Sequence, residues 1–467
     1  MIKAKYALLT IAIILALAGP ALCESAESAT EVGKNLPLWS VAPFVLMLLA
    51  IAIIPLAFGH WWESNFNKGI ISILLAIPVA IYIITINPHE LMVVGFDYIS
   101  FIILLGALYV ISGGIYIKGS LAGTPLINTI VLAIGAVLAS FIGTTGASML
   151  LIRPLIRANK ARKDKAHIII FFIFVVSNCG GLLTPLGDPP LFLGFLKGVP
   201  FLWTFALWKE WLFVCGLILI IFNLYDQFKF NREDIATPGA LTEQVEPKQK
   251  LGVEGTVNFL LLGGMVAAIF FAGDPFGTDP KHPWPFGVKE ALMLVMAVLS
   301  LVATKKHTRQ SNSFTFNPII EVAVLFAGIF VTMIPALMIL NARGTELGLT
   351  QPWHFFWAAG SLSSFLDNAP TYLTMSSAAS GVLNVPLGPA YLKDLLAVAS
   401  GPLLLAAVSC GAVFMGANTY IGNGPNFMVK AIAEESHVKM PSFFGYMVYS
   451  ILILIPIFII TTFLFFV

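Results

Sequence analysis

Two acidic side chains, Asp188 and Asp367, stand inside long apolar stretches with hydroxyl and amide side chains close by in sequence. The segment that holds Asp188 also carries Ser177, Asn178 and Thr184, and an upstream segment carries Ser140, Thr144, Thr145 and Ser148; near Asp367 lie Ser364, Asn368 and Thr371. A further set, Asn418, Thr419, Asn423 and Asn426, follows downstream. Carboxylate, hydroxyl and amide oxygens are hard ligands that suit an alkali cation better than a soft metal. Acidic groups within apolar runs are costly and mark ion or substrate paths by default. Burial disfavours a carboxylate's charged form and a nearby cation favours it, so such a group can exchange a proton for Na+. The competing role is structural, the capping of a half-helix or the locking of a turn.

The same residue types recur at the same offsets. Gly181, Thr184, Gly187, Asp188 and Pro190 align with Gly416, Thr419, Gly422, Asn423 and Pro425. Upstream, Ser140, Phe141, Gly143 and Thr144 align with Ser364, Phe365, Asp367 and Asn368. A bilayer tolerates irregular backbone only where protein or a water-filled cavity surrounds it. Helix-breaking polar segments at matching places in two apolar halves therefore predict the central site of a secondary transporter.

The elements that must hold these residues follow from composition. Of 467 residues, 58% are apolar and 11% charged, which excludes an ordinary soluble domain. A net charge of +2 gives no reason to expect nucleic acid as a partner. Cys23, Cys179, Cys215 and Cys410 have no spacing that suggests a disulfide framework or a metal site. Lys3 and Lys5, an apolar run and then small residues make residues 1–23 a signal peptide or a first helix, with Glu24 onward outside.

The pattern predicts an all-α polytopic membrane protein with roughly 10–12 spans at about 20 residues each. The N-terminal half is 24–225, with a re-entrant hairpin at 125–158 and a broken helix at 167–195. A cytoplasmic linker at 226–256 leads to the C-terminal half, 257–467, with a hairpin at 352–380 and a broken helix at 394–432. Counting from Glu24 puts Lys118, Arg157, Lys160, Arg162, Lys163, Lys165, Lys229, Lys305, Lys306 and Arg309 inside, as basic loops require. The two hairpins then open to opposite sides, which is an inverted-topology repeat.

Arg153 follows the first hairpin tip, where it is a candidate anion ligand or a snorkelling member of the basic cluster with Arg157. Glu321, Glu90 and His354 read as helix-end or interfacial groups. No nucleophile–base pair, phosphate loop or HExxH motif is present, so a non-enzymatic carrier is expected.

At these residues the chain resembles the ion transporter superfamily of arsenite permeases, NhaD-type sodium/proton antiporters and citrate or dicarboxylate carriers. Asn178-Cys179-Gly180-Gly181 with Thr184-Pro185-Leu186-Gly187-Asp188 resembles the antiporters' first broken helix, and Leu366-Asp367-Asn368-Ala369-Pro370 their second hairpin tip. The chain is also similar to a group of citrate transporters. The dicarboxylate carriers' Ser-Asn-Thr tripeptide is incomplete here, as Ser177-Asn178-Cys179 and Ala417-Asn418-Thr419. The resemblance implies a scaffold domain, a transport domain that moves as an elevator, and a homodimer in a bacterial-type inner membrane. Its leading expectation is Na+/H+ antiport, with Na+ and protons competing at Asp188, Asp367, Asn368, Thr184, Asn178, Thr144, Thr145, Asn418, Thr419 and Asn423 and no other cofactor. The second is Na+- or H+-coupled transport of citrate or a dicarboxylate; the third is a passive channel.

Overall fold

A computed structural model describes residues 26–119, 121–236, 252–273 and 284–467. The expected signal segment, residues 1–23, and the middle of the expected linker lie outside the described residues. Nine described helices are long and apolar enough to cross a membrane: Leu38–Pro55, Asn65–Ile86, Pro88–Ser112, Pro125–Ile142, Ala166–Leu183, Phe201–Glu233, Asn317–Ala342, Gly401–Asn418 and Phe443–Phe465. Val257–Ala272 and Val288–Ala303 are shorter apolar helices beside them. The chain is an all-α, multi-pass membrane protein. Among the described residues the one sheet is a pair of short antiparallel strands, β1 (Tyr116–Lys118) and β2 (Gly252–Glu254), with Tyr116 opposite Glu254.

Burial separates two kinds of helix. Only 17% of the Asn65–Ile86 span is buried, so its apolar side chains face the surroundings, as lipid permits. The two spans that carry the repeated motif, Ala166–Leu183 and Gly401–Asn418, are each 89% buried. Polar, broken backbone thus sits where neighbouring protein can satisfy it.

The two hairpins are Pro125–Ile142 with Thr144–Ala158 and Pro352–Ser363 with Asn368–Val382. The first turns at Gly143, whose φ of +79° lies in the region that glycine tolerates best. At its base Arg157 donates to the Ile117 carbonyl at 2.7 Å, next to the start of helix Asn317–Ala342, where Tyr109 reaches Thr315 at 2.9 Å. The second hairpin's base meets the other end of that helix, where Asn341 donates to the Val385 carbonyl at 2.9 Å. The hairpins therefore enter from opposite ends of one 26-residue helix.

Both breaks are built alike. A 3-10 segment (Cys179–Leu183 or Gly416–Asn418) leads into an extended Thr184 or Thr419, and a proline near the start of the next helix restarts it. Thr184 donates to the Ser140 carbonyl and accepts from the Leu186 amide at 3.1 Å. Thr419 donates to the Ser364 carbonyl at 2.5 Å and accepts from Ile421 and Gly422 at 3.2 Å. Gly187 packs its Cα against the Gly181 backbone and Gly422 against Gly416, so closely that a side chain at either position would clash.

Two boundaries differ from expectation. The expected linker begins at 226, yet helix Trp208–Ala236 runs on, because Asp226 is buried against Arg162 at 2.5 Å and His167 at 2.8 Å. The second broken helix starts at Gly401 rather than near 394; Tyr391–Ala397 is a separate helix, and Pro402 begins the new one after extended Val398.

Candidate functional site

Asp188 occupies the residue before helix Pro189–Leu196 and is 2% exposed. Its Oδ1 accepts from the Thr144 hydroxyl at 2.8 Å and the Asn423 amide at 3.2 Å; its Oδ2 accepts from the Asn368 amide at 2.5 Å. Each donor stands at the start of another helix. Thr144 opens Thr144–Ala158, Asn368 opens Asn368–Val382, and Asn423 precedes Gly424–Glu435. One carboxylate thus ties together four helix N-termini, drawn from both hairpins and both broken helices. The N-terminal end of a helix carries about half a positive charge, so their convergence makes a positive chamber without any cationic side chain. Among the described residues no Lys, Arg or His forms an ion pair with Asp188.

The pairing reflects the repeat. Thr144 and Asn368 occupy equivalent offsets, as do Asp188 and Asn423, so the carboxylate is shared near the axis that relates the halves. Asn178 reinforces this junction: its amide donates to Asn426 at 2.7 Å and its carbonyl accepts from Asn423 at 3.2 Å. Asn426 in turn donates to the Gly416 and Thr419 carbonyls at 2.8 and 2.9 Å, which holds the free backbone of the second break.

Two amide oxygens here are buried without a hydrogen-bond partner, Asn368 Oδ1 and Asn418 Oδ1. Asn418 is held through its amide nitrogen, which donates to Ser364 at 2.9 Å. A buried carbonyl oxygen without a donor is costly, and a bound cation is one way to satisfy it. Thr145 lines a small cavity of about 80 Å³ that also touches Asp188, Thr144, Gly187 and Leu186. Its other wall is Leu104, Leu105, Leu108, Tyr109, Pro318, Ile319 and Val322, from the outer helices. The cavity lies on the side of Asp188 that faces Ser112 and Asn317, the ends next to the basic loops.

The remaining expected residues divide. Thr184 and Thr419 have both hydroxyl functions engaged with backbone and shape the breaks. Asp367 caps helix Asn368–Val382 through the Ala369 amide at 3.0 Å; it does not bond to Asp188, although its neighbour Asn368 does. Arg153 pairs with Glu435 at 3.8 Å. Glu435 ends the 12-residue helix that Asn423 begins, about 18 Å away at 1.5 Å per residue, so Arg153 is not a ligand in the chamber. Arg157, one turn further along the same helix, turns to Ile117 and the Tyr116 ring.

Sequence reasoning missed a second polar cluster near the base of the first hairpin. Arg162, fully buried, meets Asp226; His167 and Asn128 bond to the same carboxylate, at 2.8 and 3.0 Å. Four polar side chains close to apolar runs were the available signal, but their meeting depends on packing between helices far apart in sequence.

A family described as "Putative citrate transport" matches residues 33–466. The chain belongs to that family. The match spans both hairpins and both broken helices, so the whole site lies within it. No match was found among curated proteins.

Proposed function

We propose that this family member is a secondary carrier of citrate or a related carboxylate, with transport coupled to a cation or proton taken up at Asp188. The observation that carries the reading is the meeting of four helix N-termini on one buried carboxylate. Such a chamber attracts anions, but Asp188 already occupies its positive field. A substrate carboxylate entering beside it meets a like charge. Two unit charges about 5 Å apart at an effective dielectric of about 20 repel by about 3 kcal/mol, roughly a hundredfold in affinity. Neutralising Asp188 with Na+ or a proton removes that penalty and leaves the helix ends free for the substrate. Coupling then follows from electrostatics, with the unpaired oxygen of Asn368, whose amide already meets Asp188, as a further cation ligand. The cavity beside Thr145 serves as the approach from the basic face.

One observation favours a second reading. Among the described residues Asp188 has no fixed cationic partner, so Na+/H+ exchange at that carboxylate, without any organic substrate, uses the same site. Proteoliposomes distinguish the two. Labelled citrate accumulation driven by an imposed Na+ or pH gradient supports the carrier reading. Proton movement on Na+ addition, reported by a trapped pH dye without citrate and with no citrate uptake under either gradient, supports exchange and refutes the carrier.

A further inference from the structure

We propose that the ion pair between Asp97 and Lys197 is a lock that clamps the hairpin and broken-helix unit to the outer helices while the cavity to Asp188 is open. The ammonium and carboxylate are 2.5 Å apart, with side chains 10% and 16% exposed. Asp97 belongs to the outer helix Pro88–Ser112, and Lys197 follows Pro189–Leu196, the second half of the first broken helix. Among the described residues it is the one ion pair that joins these two groups of helices; the other polar crossings include Arg157 to the Ile117 carbonyl, Asn341 to the Val385 carbonyl, Ser377 to the Leu337 carbonyl and the Lys289 ammonium over the Phe195 ring, none of which pairs opposite charges.

Position gives the pair its meaning. Lys197 ends the eight-residue helix whose other end is Asp188, a rod about 12 Å long. A displacement at the site is therefore delivered to the lock with little slack. On the partner side, the helix that holds Asp97 walls the cavity with Leu104 to Tyr109, about 10–18 Å further along. The same helix lines the cavity between these points and packs again on the first hairpin at Ser112, against Gly146, so the ion pair fixes the end of the helix that meets the broken helix. Lys197 is also pinned through its backbone, since its carbonyl accepts from Leu392 at 3.1 Å and Gly198 turns the chain with φ of +95°. Glu90, on the same outer helix, lies within electrostatic reach of Lys197 and supplies a second, weaker partner. Relative movement of the two groups must break the pair, and a separated, partly buried charge is costly.

The lock rests on the alternating-access reading, and its test uses no substrate. Val322→Cys places a reporter in the cavity wall, and an impermeant maleimide is applied from each face of oriented vesicles, with the reporter-free chain as blank. The expected result is labelling mainly from the basic face, slowed about fivefold by Lys197→Gln. Asp97→Asn has a smaller effect, because Glu90 remains. The exchanged pair, Asp97→Lys with Lys197→Asp, returns the rate to within twofold of the parent and reports correct folding. A Lys197→Gln rate within twofold of the parent overturns the lock, as does an exchanged pair that folds and stays slow. Failure of citrate uptake in the parent counts against the carrier reading and leaves the labelling result to decide the lock separately.

Discussion

Replacing Asp188 with asparagine separates binding from coupling. The substitution removes the charge but keeps the shape, and the structure shows why the fold survives it. Oδ1 accepts from Thr144 and Asn423, so the retained oxygen keeps both bonds in that position. The new amide then faces the Asn368 amide, a donor–donor conflict. Asn368 resolves it by turning over, because its own Oδ1 has no partner. Bonds to a charged acceptor are exchanged for neutral ones, at a cost of about 1–2 kcal/mol. Function changes more. The like-charge penalty of about 3 kcal/mol disappears, so citrate binds without a cation and affinity no longer follows Na+ or pH. In proteoliposomes, Asp188→Asn is expected to exchange internal for external labelled citrate at a rate near the parent's, yet to accumulate none against a gradient. A variant that still concentrates citrate at the parent level refutes the assignment of coupling to this carboxylate.

Three further outcomes follow. Thr184→Val and Thr419→Val each remove one hydroxyl that bridges two or three backbone groups, so each is expected to lose about 1–3 kcal/mol in thermal stability, with similar losses from the two halves; a loss confined to one half contradicts the equivalence of the breaks. Arg153→Ala breaks a pair with Glu435 far from the chamber, so its citrate half-saturation stays within about twofold of the parent, whereas a loss beyond tenfold restores Arg153 as an anion ligand. In the loop after the first hairpin, the His167 ring and the Lys229 ammonium, 3.9 and 2.5 Å away, hold the Asp164 carboxyl below the usual carboxylate range. A depressed carboxylate stabilises the fold above its unfolded pKa of about 4 and loses that contribution as pH falls further. Asp164→Asn should therefore lower stability by about 0.5–1 kcal/mol at pH 7, a figure discounted for an exposed side chain, and the gap should narrow below about pH 4; a gap that widens in acid contradicts the sign.

The offsets in the sequence carried much of the site. Thr184 and Thr419 align, and each makes the same pair of backbone contacts; Asp188 and Asn423 align, and they meet. That was legible because a helix broken inside a membrane must satisfy its backbone locally, which imposes residue types at short range. Partners across the fold were less legible. Asp188 and Asp367 look equivalent as acids in apolar runs, yet one gathers four helix ends and the other caps a single helix, and only the three-dimensional arrangement separates them. Arg153 reads in the sequence either as an anion ligand or as a snorkelling cation of the basic cluster, and its partner Glu435 is not apparent from spacing. Asp226 looks like the start of a polar linker because its neighbours, Arg162 and His167, are more than fifty residues away in the chain. Lys197 and Asp97 fall near the ends of apolar segments, where charges are ordinary, and nothing in their spacing announces an ion pair.

Equilibrium binding of labelled citrate to the purified protein, with and without saturating Na+ and at two pH values, tests the electrostatic account most directly. For the parent chain the expected result is an affinity raised roughly a hundredfold by Na+ or by acid, and for Asp188→Asn one that neither changes. Citrate binding that is indifferent to both cations in the parent, or equally cation-dependent in the variant, contradicts it.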